Sequence, residues 1–293
     1  MKRENRPYRI FRCLALAFAA QLAVLLGLGP LYGAVEKQPA RLFFAGDSTL
    51  DDYGLSLGGK MHYPYQSWGT TLQESMVDGC AVRNYARSGA STKSFSMSGA
   101  WAKLIADVRP GDFVAIQFGH NDQKRRTEYD RAERWSDPKG LFREIVRDWV
   151  GQVRAKGATP ILLSPICRGT FDREGRKLCD YPDKRDGVCL GSYRDAMCEL
   201  SKELKCDYVD MNGMTRELME RLGRDESMKF FVISTGIVKG KDGEPSQDVT
   251  HPVKAGAEAF ARLFIDDVTA RRLTVAALFR PVGNRGDFKK GVK

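Results

Sequence analysis

The sequence predicts an α/β fold in which helices cover both faces of a five-stranded parallel sheet, a three-layer α/β/α sandwich. The main observation is that short apolar runs rich in β-branched and aromatic residues alternate with longer stretches of helical period. Parallel strands joined by helices of this length form right-handed βαβ units, which place helices on both sides of the sheet. A second observation is that three of the strands end on polar, glycine-containing groups. The predicted strands are 41–45, 80–86, 113–118, 159–164 and 206–211.

The predicted helices follow from the spacing of apolar residues. The clearest helix covers 138–155, where apolar residues recur at intervals of three and four. The residues of this stripe are Leu141, Phe142, Ile145, Trp149 and Val153. Further helices are predicted at 66–78, 192–204, 214–222 and 253–270. Segment 223–247 fits neither period, and we expect a long excursion with a hairpin that delivers the residues after it.

The N-terminal 34 residues have the pattern of a secretory signal. A basic stretch, 1–10, precedes an apolar run, 13–29, and the small residues Gly33 and Ala34 follow. The apolar run is shorter than the ~20 residues that a spanning helix needs. We therefore expect a secreted or periplasmic protein. An uncleaved membrane anchor is the alternative, because Tyr32 is bulky for the third position before a cut after Ala34.

Length and composition indicate one globular domain, predicted at 35–279, followed by a basic flexible tail at 280–293. With 42% hydrophobic residues, the chain is neither collagenous nor disordered. The formal net charge is +10, and five basic residues and one acid lie within the first 34 residues. The positive charge outside these 34 residues is compatible with an acidic polymer as substrate, and equally with a role in solubility alone. We expect the tail to be a frayed terminus and not a nucleic-acid arm.

The cysteine pattern permits disulfides. Seven cysteines are present, of which Cys13 lies in the predicted signal. An even number in an exported domain allows three bridges. Cys179 with Cys189 and Cys198 with Cys206 are the local pairs we expect first, although other connectivities stay open. No C-x-x-C spacing occurs and only three histidines are present, so we expect no structural zinc site.

Polar residues follow three predicted strands at the point where each strand ends. Ser48, Gly89 and Asn121 belong to these groups. The carboxyl ends of parallel strands meet at one sheet edge, where open α/β sheets bind their ligands. Near the C-terminus, Asp248 precedes His251 by three residues, close enough to orient the imidazole. Taken singly, each group also fits a purely structural role. Asp47 or Ser48 could cap the next helix, and His251 could be a helix-start residue hydrogen-bonded to Asp248.

Four ordered sequence blocks together resemble the SGNH (GDSL) hydrolases, and within them the rhamnogalacturonan acetylesterase-like branch. The blocks are GDSTL from 46, NYARSGASTKSF from 84, PGDFVAIQFGHND from 110 and DVTHPVKAGAEAFA from 248. The resemblance spans roughly 41–270 and implies a flavodoxin-like sandwich. Four blocks at the expected strand ends are far more specific than any one of them.

The resemblance implies a role for each of five residues. It implies that Ser48 is the nucleophile, His251 the general base and then acid, and Asp248 the residue that orients His251. It also implies an oxyanion hole made of the Ser48 amide, the Gly89 amide and the Asn121 side chain. A glycine lets an N–H approach the oxyanion closely, and a side-chain amide donates without a charge. No metal or organic cofactor is implied.

The sequence departs from the branch at two positions. The second block has Ala90 after its glycine where arginine is common, and the nearest cation is Lys93. Residue 252 is Pro where a bulkier or polar residue is commoner. Both departures concern how the substrate is held. They therefore affect the identity of the polymer and not the catalytic chemistry.

Five further residues lie in or near these blocks and have weaker functional interpretations. Trp68, Lys93 and Arg168 are candidate substrate contacts. A tryptophan such as Trp68 is more often a core residue. Arg168 could bind a substrate carboxylate, but a solvated arginine is an equally good interpretation. His120 and Asp122 are expected to brace and cap the turn that presents the amide donor, not to act in catalysis.

The sequence therefore predicts an exported serine esterase that removes acetyl groups from a plant cell-wall polysaccharide, with pectic rhamnogalacturonan as the first choice. Within the same class, acetylated xylan, another acetylated glycan or a short lipid ester are alternative substrates. A catalytically silent glycan-binding domain with the same fold is the alternative from another class. The retention of Ser48, Asp248 and His251 favours the enzyme.

Overall fold

The computed structural model describes residues 38–52, 64–180, 188–239 and 242–281. The described residues from Pro39 onward belong to one compact unit. The predicted signal, 1–34, and the tail after Pro281 lie outside the described residues, so both stay predictions.

The described residues contain one sheet and the helices that cover it. The strands are β1 (Arg41–Gly46), β2 (Ala81–Asn84), β3 (Phe113–Gln117), β4 (Thr159–Leu163) and β5 (Asp207–Val209). The α-helices are α1 (Trp68–Thr71), α2 (Thr92–Met97), α3 (Ala100–Asp107), α4 (Leu141–Ala155), α5 (Leu190–Leu204), α6 (Met211–Leu222), α7 (Arg224–Met228) and α8 (Lys254–Ala270). Short 3₁₀ segments lie at Leu72–Ser75, Val232–Thr235 and Thr274–Leu278, and a π-helical turn at Asp130–Arg134.

The predicted five-stranded parallel sheet is confirmed. Its strand order is β2-β1-β3-β4-β5, and every neighbouring pair is parallel. The order reverses between β1 and β3, because the chain moves outward from β1 to β2 and then returns to the other side. Ligands of open α/β sheets bind outside the carboxyl ends of the strands at such a switch point. The residues after β1 and β3 are therefore the first place to look for a site.

Two hydrophobic cores lie on opposite faces of the sheet. Along β1, Leu42 and Phe44 point to one core, and Phe43 and Ala45 point to the other. This division follows from the period-two alternation of side chains along a strand. The first core is completed mainly by α6 and α8, and the second by α2 to α5. All residues of β1 are buried, as expected for a strand covered on both sides.

The long predicted helices are present with shifted bounds. In α4 the buried side chains are Phe142, Val146, Trp149, Val150 and Val153. The predicted stripe is therefore rotated by about one residue, and Leu141 is exposed. The predicted helix 66–78 is shorter than expected: α1 passes into 3₁₀ after Thr71. The hydroxyls of Thr70 and Thr71 both donate to the Ser67 carbonyl, a bond that competes with helical pairing.

The excursion predicted at 223–247 contains helical turns followed by a bridged segment. Helix α7 and the 3₁₀ segment at Val232–Thr235 occupy its first half. In its second half an isolated antiparallel bridge pairs Lys239 with Pro245. Arg280, the first residue of the predicted tail, is part of the described fold, because it donates to the carbonyls of Glu74 and Ser75.

The disulfide prediction is not supported. The six cysteines of the described residues are free thiols in the structure, including those of the two expected local pairs. Cys206 instead lies against Arg154, whose guanidinium nitrogen is 3.4 Å from the sulfur. Within the described ranges, the structure contains no helix long and apolar enough to span a bilayer.

Candidate active site

Ser48 lies in a tight turn directly after β1. The Asp47 carbonyl accepts hydrogen bonds from the amides of Leu50 and Asp51, which closes the turn. The Asp47 carboxylate accepts two more from the Thr49 amide and hydroxyl, at 2.9 and 2.8 Å. These bonds fix the backbone on both sides of Ser48. Ser48 is 6% exposed, so only a small part of its surface is accessible.

His251 is presented by the loop before α8, and two other segments hold that loop. The amides of Val232 and Ile233 donate to the carbonyls of His251 and Asp248 at 3.1 and 2.9 Å. The Gly169 amide, in the loop after β4, donates to the Val249 carbonyl at 2.8 Å. The excursion before residue 248 therefore supports the histidine loop directly, in agreement with the role expected for it.

The start of α8 fixes the same loop from the other side. A Cβ at Gly256 would lie 2.3 Å from the Phe230 carbonyl oxygen, so only glycine allows this approach. The Val253 amide donates to the same carbonyl at 2.9 Å.

The structure brings Ser48, His251 and Asp248 together, although Ser48 and His251 are 203 residues apart. The Ser48 Oγ lies 2.8 Å from His251 Nε2, and His251 Nδ1 lies 2.6 Å from Asp248 Oδ2. An ionised carboxylate only accepts, so the proton sits on Nδ1 and leaves Nε2 to accept from the serine hydroxyl. This tautomer is the one that a general base for Ser48 requires.

Asp248 is held as a carboxylate. Its Oδ1 accepts from the amides of Thr250 and His251 at 2.9 and 3.0 Å. Burial raises the pKa of Asp248, but the hydrogen bond and charge of His251, with these two amides, outweigh burial and lower that pKa below its usual value. Asp248 therefore stays available as the hydrogen-bond acceptor for His251.

The donors expected to form the oxyanion hole lie on the turns after β2 and β3. Gly89 has φ of +76°, a conformation that favours glycine, in the turn closed by the Ala90 amide and the Arg87 carbonyl. Asn121 is buried, and its Nδ2 donates one hydrogen to the Ala90 carbonyl at 2.8 Å. Its Oδ1 accepts from Lys124 Nζ at 2.6 Å. These contacts fix the amide so that its second N–H is the one left to meet an oxyanion.

A buried pair links the turns of Ser48 and Asn121. His120 Nδ1 lies 3.3 Å from Asp47 Oδ2, and both side chains are buried. Burial lowers the pKa of His120. The Asp47 carboxylate raises it again, but by less than burial lowers it. Burial raises the pKa of Asp47, but His120 and Thr49 outweigh it and hold that pKa below its usual value. A neutral His120 thus donates to a charged Asp47, which fits the bracing role predicted for His120.

Asp122 binds the first turn of α2, an element distant in sequence from the turn that it was expected to cap. Its Oδ1 accepts from the Thr92 amide and hydroxyl at 2.9 and 2.6 Å. Burial raises the pKa of Asp122 to about 7. Its Oδ2 has no hydrogen-bond partner among the described residues.

The three predicted substrate contacts have different environments. Trp68 is fully buried between Phe44 and Phe264, so it is a core residue and the substrate-binding prediction for it is wrong. Lys93 donates from Nζ to the Arg131 carbonyl at 3.1 Å, which gives it a structural contact. Arg168 lies at the predicted sheet edge. Its guanidinium donates to Gln123 at 2.7 and 2.8 Å when the amide oxygen faces it, and its contact with substrate stays a prediction.

The sequence did not single out Tyr65, Lys124 or Arg134, which also surround the site. The Tyr65 ring meets the His251 ring edge to face, with centroids 5.9 Å apart. Burial, and then the charge of Asp248, raise the pKa of Tyr65. Tyr65 and Arg134 reach the site from segments distant in sequence, and Lys124 reaches it through its hydrogen bond to Asn121. The described residues hold no group of three or more His, Cys, Asp or Glu side chains arranged to bind a metal ion.

Comparison with known proteins identifies the family. Residues 44–259 match the GDSL-like lipase/acylhydrolase family, so the chain belongs to that family and is a carboxylic ester hydrolase. The rhamnogalacturonan acetylesterase RhgT of Bacillus subtilis is 32% identical over 79% of this chain and 90% of its own length. The probable rhamnogalacturonan acetylesterase YesY of the same organism is 28% identical over 76% of this chain and 89% of its own.

Solved structures share the fold. The protein YxiM of Bacillus subtilis superposes with a TM-score of 0.62 at 26% identity, covering 80% of this chain. The chain spans 57% of that structure. The acetylxylan esterase Axe2 of Geobacillus stearothermophilus superposes with a TM-score of 0.54 at 18% identity, covering 79% of this chain and 96% of its own. At that identity the second likeness concerns the fold alone.

Proposed function

We propose that the chain is an exported serine esterase that deacetylates a plant cell-wall polysaccharide, pectic rhamnogalacturonan first. The observation that carries the proposal is the hydrogen-bonded series Ser48–His251–Asp248 beside the turns of Gly89 and Asn121. The relatives named as rhamnogalacturonan acetylesterases support the choice of polymer. The signal-like pattern at 1–34 supports export.

In the proposed first half-reaction, Ser48 Oγ attacks the acetyl carbonyl while His251 Nε2 takes the serine proton. Negative charge develops on the carbonyl oxygen, which the amides of Ser48 and Gly89 and the Asn121 side chain stabilise. The intermediate collapses, the C–O bond to the sugar breaks, and His251 returns the proton to the leaving hydroxyl. An acetyl group remains on Ser48.

In the second half-reaction, water replaces the sugar. His251 takes a proton from water, which attacks the acetyl carbonyl, and the same donors stabilise the second oxyanion. Collapse releases acetate and restores the Ser48 hydroxyl. Asp248 keeps the His251 tautomer correct and stabilises the imidazolium in both halves.

The decisive experiment compares Ser48→Ala with wild type in acetate release from 4-nitrophenyl acetate and from acetylated pectin. We expect the variant to lose at least ~10³-fold in kcat, because the nucleophile is absent. A fluorophosphonate probe should label wild type at Ser48. Wild-type turnover by Ser48→Ala would refute the mechanism, and polymer binding without labelling would indicate the silent glycan-binding alternative.

The substrate is tested with a panel at equal acetyl content. Acetylated pectin, acetylated xylan and a short-chain lipid ester distinguish the three substrate classes through their kcat/KM values. We expect pectin to be preferred. A higher kcat/KM for xylan or for the lipid ester would overturn the choice of polymer and leave the esterase proposal intact.

A further inference from the structure

A basic segment, residues 124–135, lies beside the oxyanion-hole turns. Its residues up to 134 include five basic and three acidic side chains. Two of the basic side chains reach the turns from different ends of the segment. Lys124 binds Asn121, as described above. Arg134 reaches Gly89: a Cβ built on that glycine would lie 3.4 Å from Arg134 Nη2.

The guanidinium of Arg134 is held in place by its neighbours. Its Nη1 lies 3.4 Å from Asp130 Oδ1, and its central carbon lies 5.0 Å from the centre of the Tyr129 ring. The segment itself is anchored to α2, because Lys93 Nζ donates to the Arg131 carbonyl at 3.1 Å. A cation fixed in this way loses little conformational entropy when it binds an anion.

Arg134 and Tyr129 are also accessible to a substrate. The Arg134 side chain is 26% exposed, and Tyr129 is 59% exposed, one of the most exposed large apolar residues described. A planar guanidinium matches a carboxylate through two parallel hydrogen bonds. An exposed aromatic ring offers a flat apolar surface for the C–H face of a pyranose. Together these two groups match a sugar that carries a carboxylate.

We propose that Arg134 and Tyr129 form a uronate subsite next to the oxyanion hole. Arg134 binds the carboxylate of the acetylated sugar or of its neighbour in the polymer, and Tyr129 packs on the sugar ring. This inference rests on the proposed function, which places the acetyl group at Ser48. The preference for an acidic polymer then arises from the contact of Arg134 with the carboxylate and not from the overall charge of the protein.

The first test measures binding in the Ser48→Ala background, where no turnover occurs. Isothermal titration calorimetry compares oligogalacturonate with neutral xylooligosaccharide. We expect oligogalacturonate to bind more tightly, and Arg134→Gln to weaken it roughly three- to tenfold, an effect that shrinks as salt rises. The oligogalacturonate affinity of Arg134→Lys should lie between those of wild type and Arg134→Gln, because lysine keeps the charge and loses the two parallel hydrogen bonds of the guanidinium. Equal affinities for the two oligosaccharides, or an unchanged oligogalacturonate affinity in Arg134→Gln, would overturn the proposal.

The second test separates this inference from the proposed function. The ratio of kcat/KM on acetylated pectin to that on 4-nitrophenyl acetate should fall roughly three- to tenfold in Arg134→Gln. The matched control is Arg147→Gln, an exposed arginine paired with Glu203, and it should leave the ratio as in wild type. An Arg134→Gln variant that loses activity on both substrates equally would overturn the subsite. A wild-type enzyme that does not cleave 4-nitrophenyl acetate would instead refute the proposed function.

Discussion

Asp47 connects the two turns on which the proposed chemistry depends. One carboxylate oxygen fixes Thr49 on the far side of Ser48, and the other accepts from His120, the neighbour of Asn121. Nucleophile and oxyanion donor are therefore tied through one buried side chain. Since a displacement of about 1 Å can cost roughly a hundredfold in rate, this connection matters for the spacing of the two groups.

Lys124 is predicted to tune the amide donor. Its ammonium binds Asn121 Oδ1, which fixes the orientation of the amide and polarises its N–H groups. We expect Lys124→Met to lower kcat on 4-nitrophenyl acetate roughly tenfold with little change in KM. The loss should be smaller than the ~10²–10³ of removing a donor outright, because Asn121 keeps its bond to the Ala90 carbonyl. Steady-state kinetics on purified variants measures both constants.

Two variants make the Lys124 prediction specific. Lys139→Met removes a different lysine, which is exposed, and should retain wild-type kcat. Lys124→Arg should recover part of kcat, since it still donates to the amide oxygen. A rise in KM with unchanged kcat in Lys124→Met would contradict a role in positioning Asn121.

Site residues that belong to short motifs were predictable from the sequence. Ser48, Asp248 and His251 follow strands or precede a helix within continuous blocks, so their meeting at one sheet edge was predictable, although their catalytic roles stay predictions. Tyr65 and Arg134 were not predictable. They contact His251 and Gly89 across segments distant in sequence, and only side-chain packing defines such contacts.

Among the elements, the strands and long helices were predictable and the short helices α2 and α3 were not. Helix α2 has the sequence TKSFSM, in which β-branched and hydroxyl residues weaken intrinsic helix propensity. It forms because of its N-terminus: Ser91 Oγ accepts from the Ser94 amide at 3.2 Å, and Ser94 Oγ accepts from the Ser91 amide at 2.9 Å. This reciprocal capping box compensates for the weak propensity.

The capping box gives a prediction for α2. Ser91→Ala removes the acceptor for the Ser94 amide at a buried position, so we expect it to lower the free energy of unfolding by about 1 kcal/mol. Urea unfolding followed by circular dichroism measures the change. Ser96→Ala, at an exposed position of the same helix, should change stability by less than about 0.5 kcal/mol. Equal effects of the two substitutions would show that the cap does not stabilise α2.

The alternation of side chains along the strands explains the three-layer fold. Residues 42–45 of β1 face the two cores alternately, and this division requires helices on both faces. The apolar runs and the helices between them were therefore sufficient to predict the sandwich. Trp68 shows the limit of this reasoning: its type suits a binding wall and a core equally, and only the packing of Phe44 and Phe264 places it in the core.

Asp122 makes the stability of the whole molecule depend on pH. Its pKa is about 7 in the folded state, raised by burial from 3.8. The folded protein therefore binds a proton more tightly than the unfolded chain between about pH 4 and 7. Stability contributed by the protonated carboxyl is present below that window and is lost as pH rises through it. A shift of this size corresponds to at most roughly 4 kcal/mol.

Asp122→Asn isolates this contribution. The side chain keeps an oxygen that accepts from Thr92 and no longer titrates. We expect the free energy of unfolding of wild type, relative to the variant, to fall by a few kcal/mol from pH 4 to pH 7, measured by urea unfolding at a series of pH values. The lowered pKa values of Asp47 and Asp248 act below this window, where stability is lost as pH falls. Asp195→Asn, an exposed carboxylate on α5, provides the control and should show a flat difference. A flat difference for Asp122→Asn as well would mean that the buried carboxyl is ionised throughout this range, and would contradict the prediction.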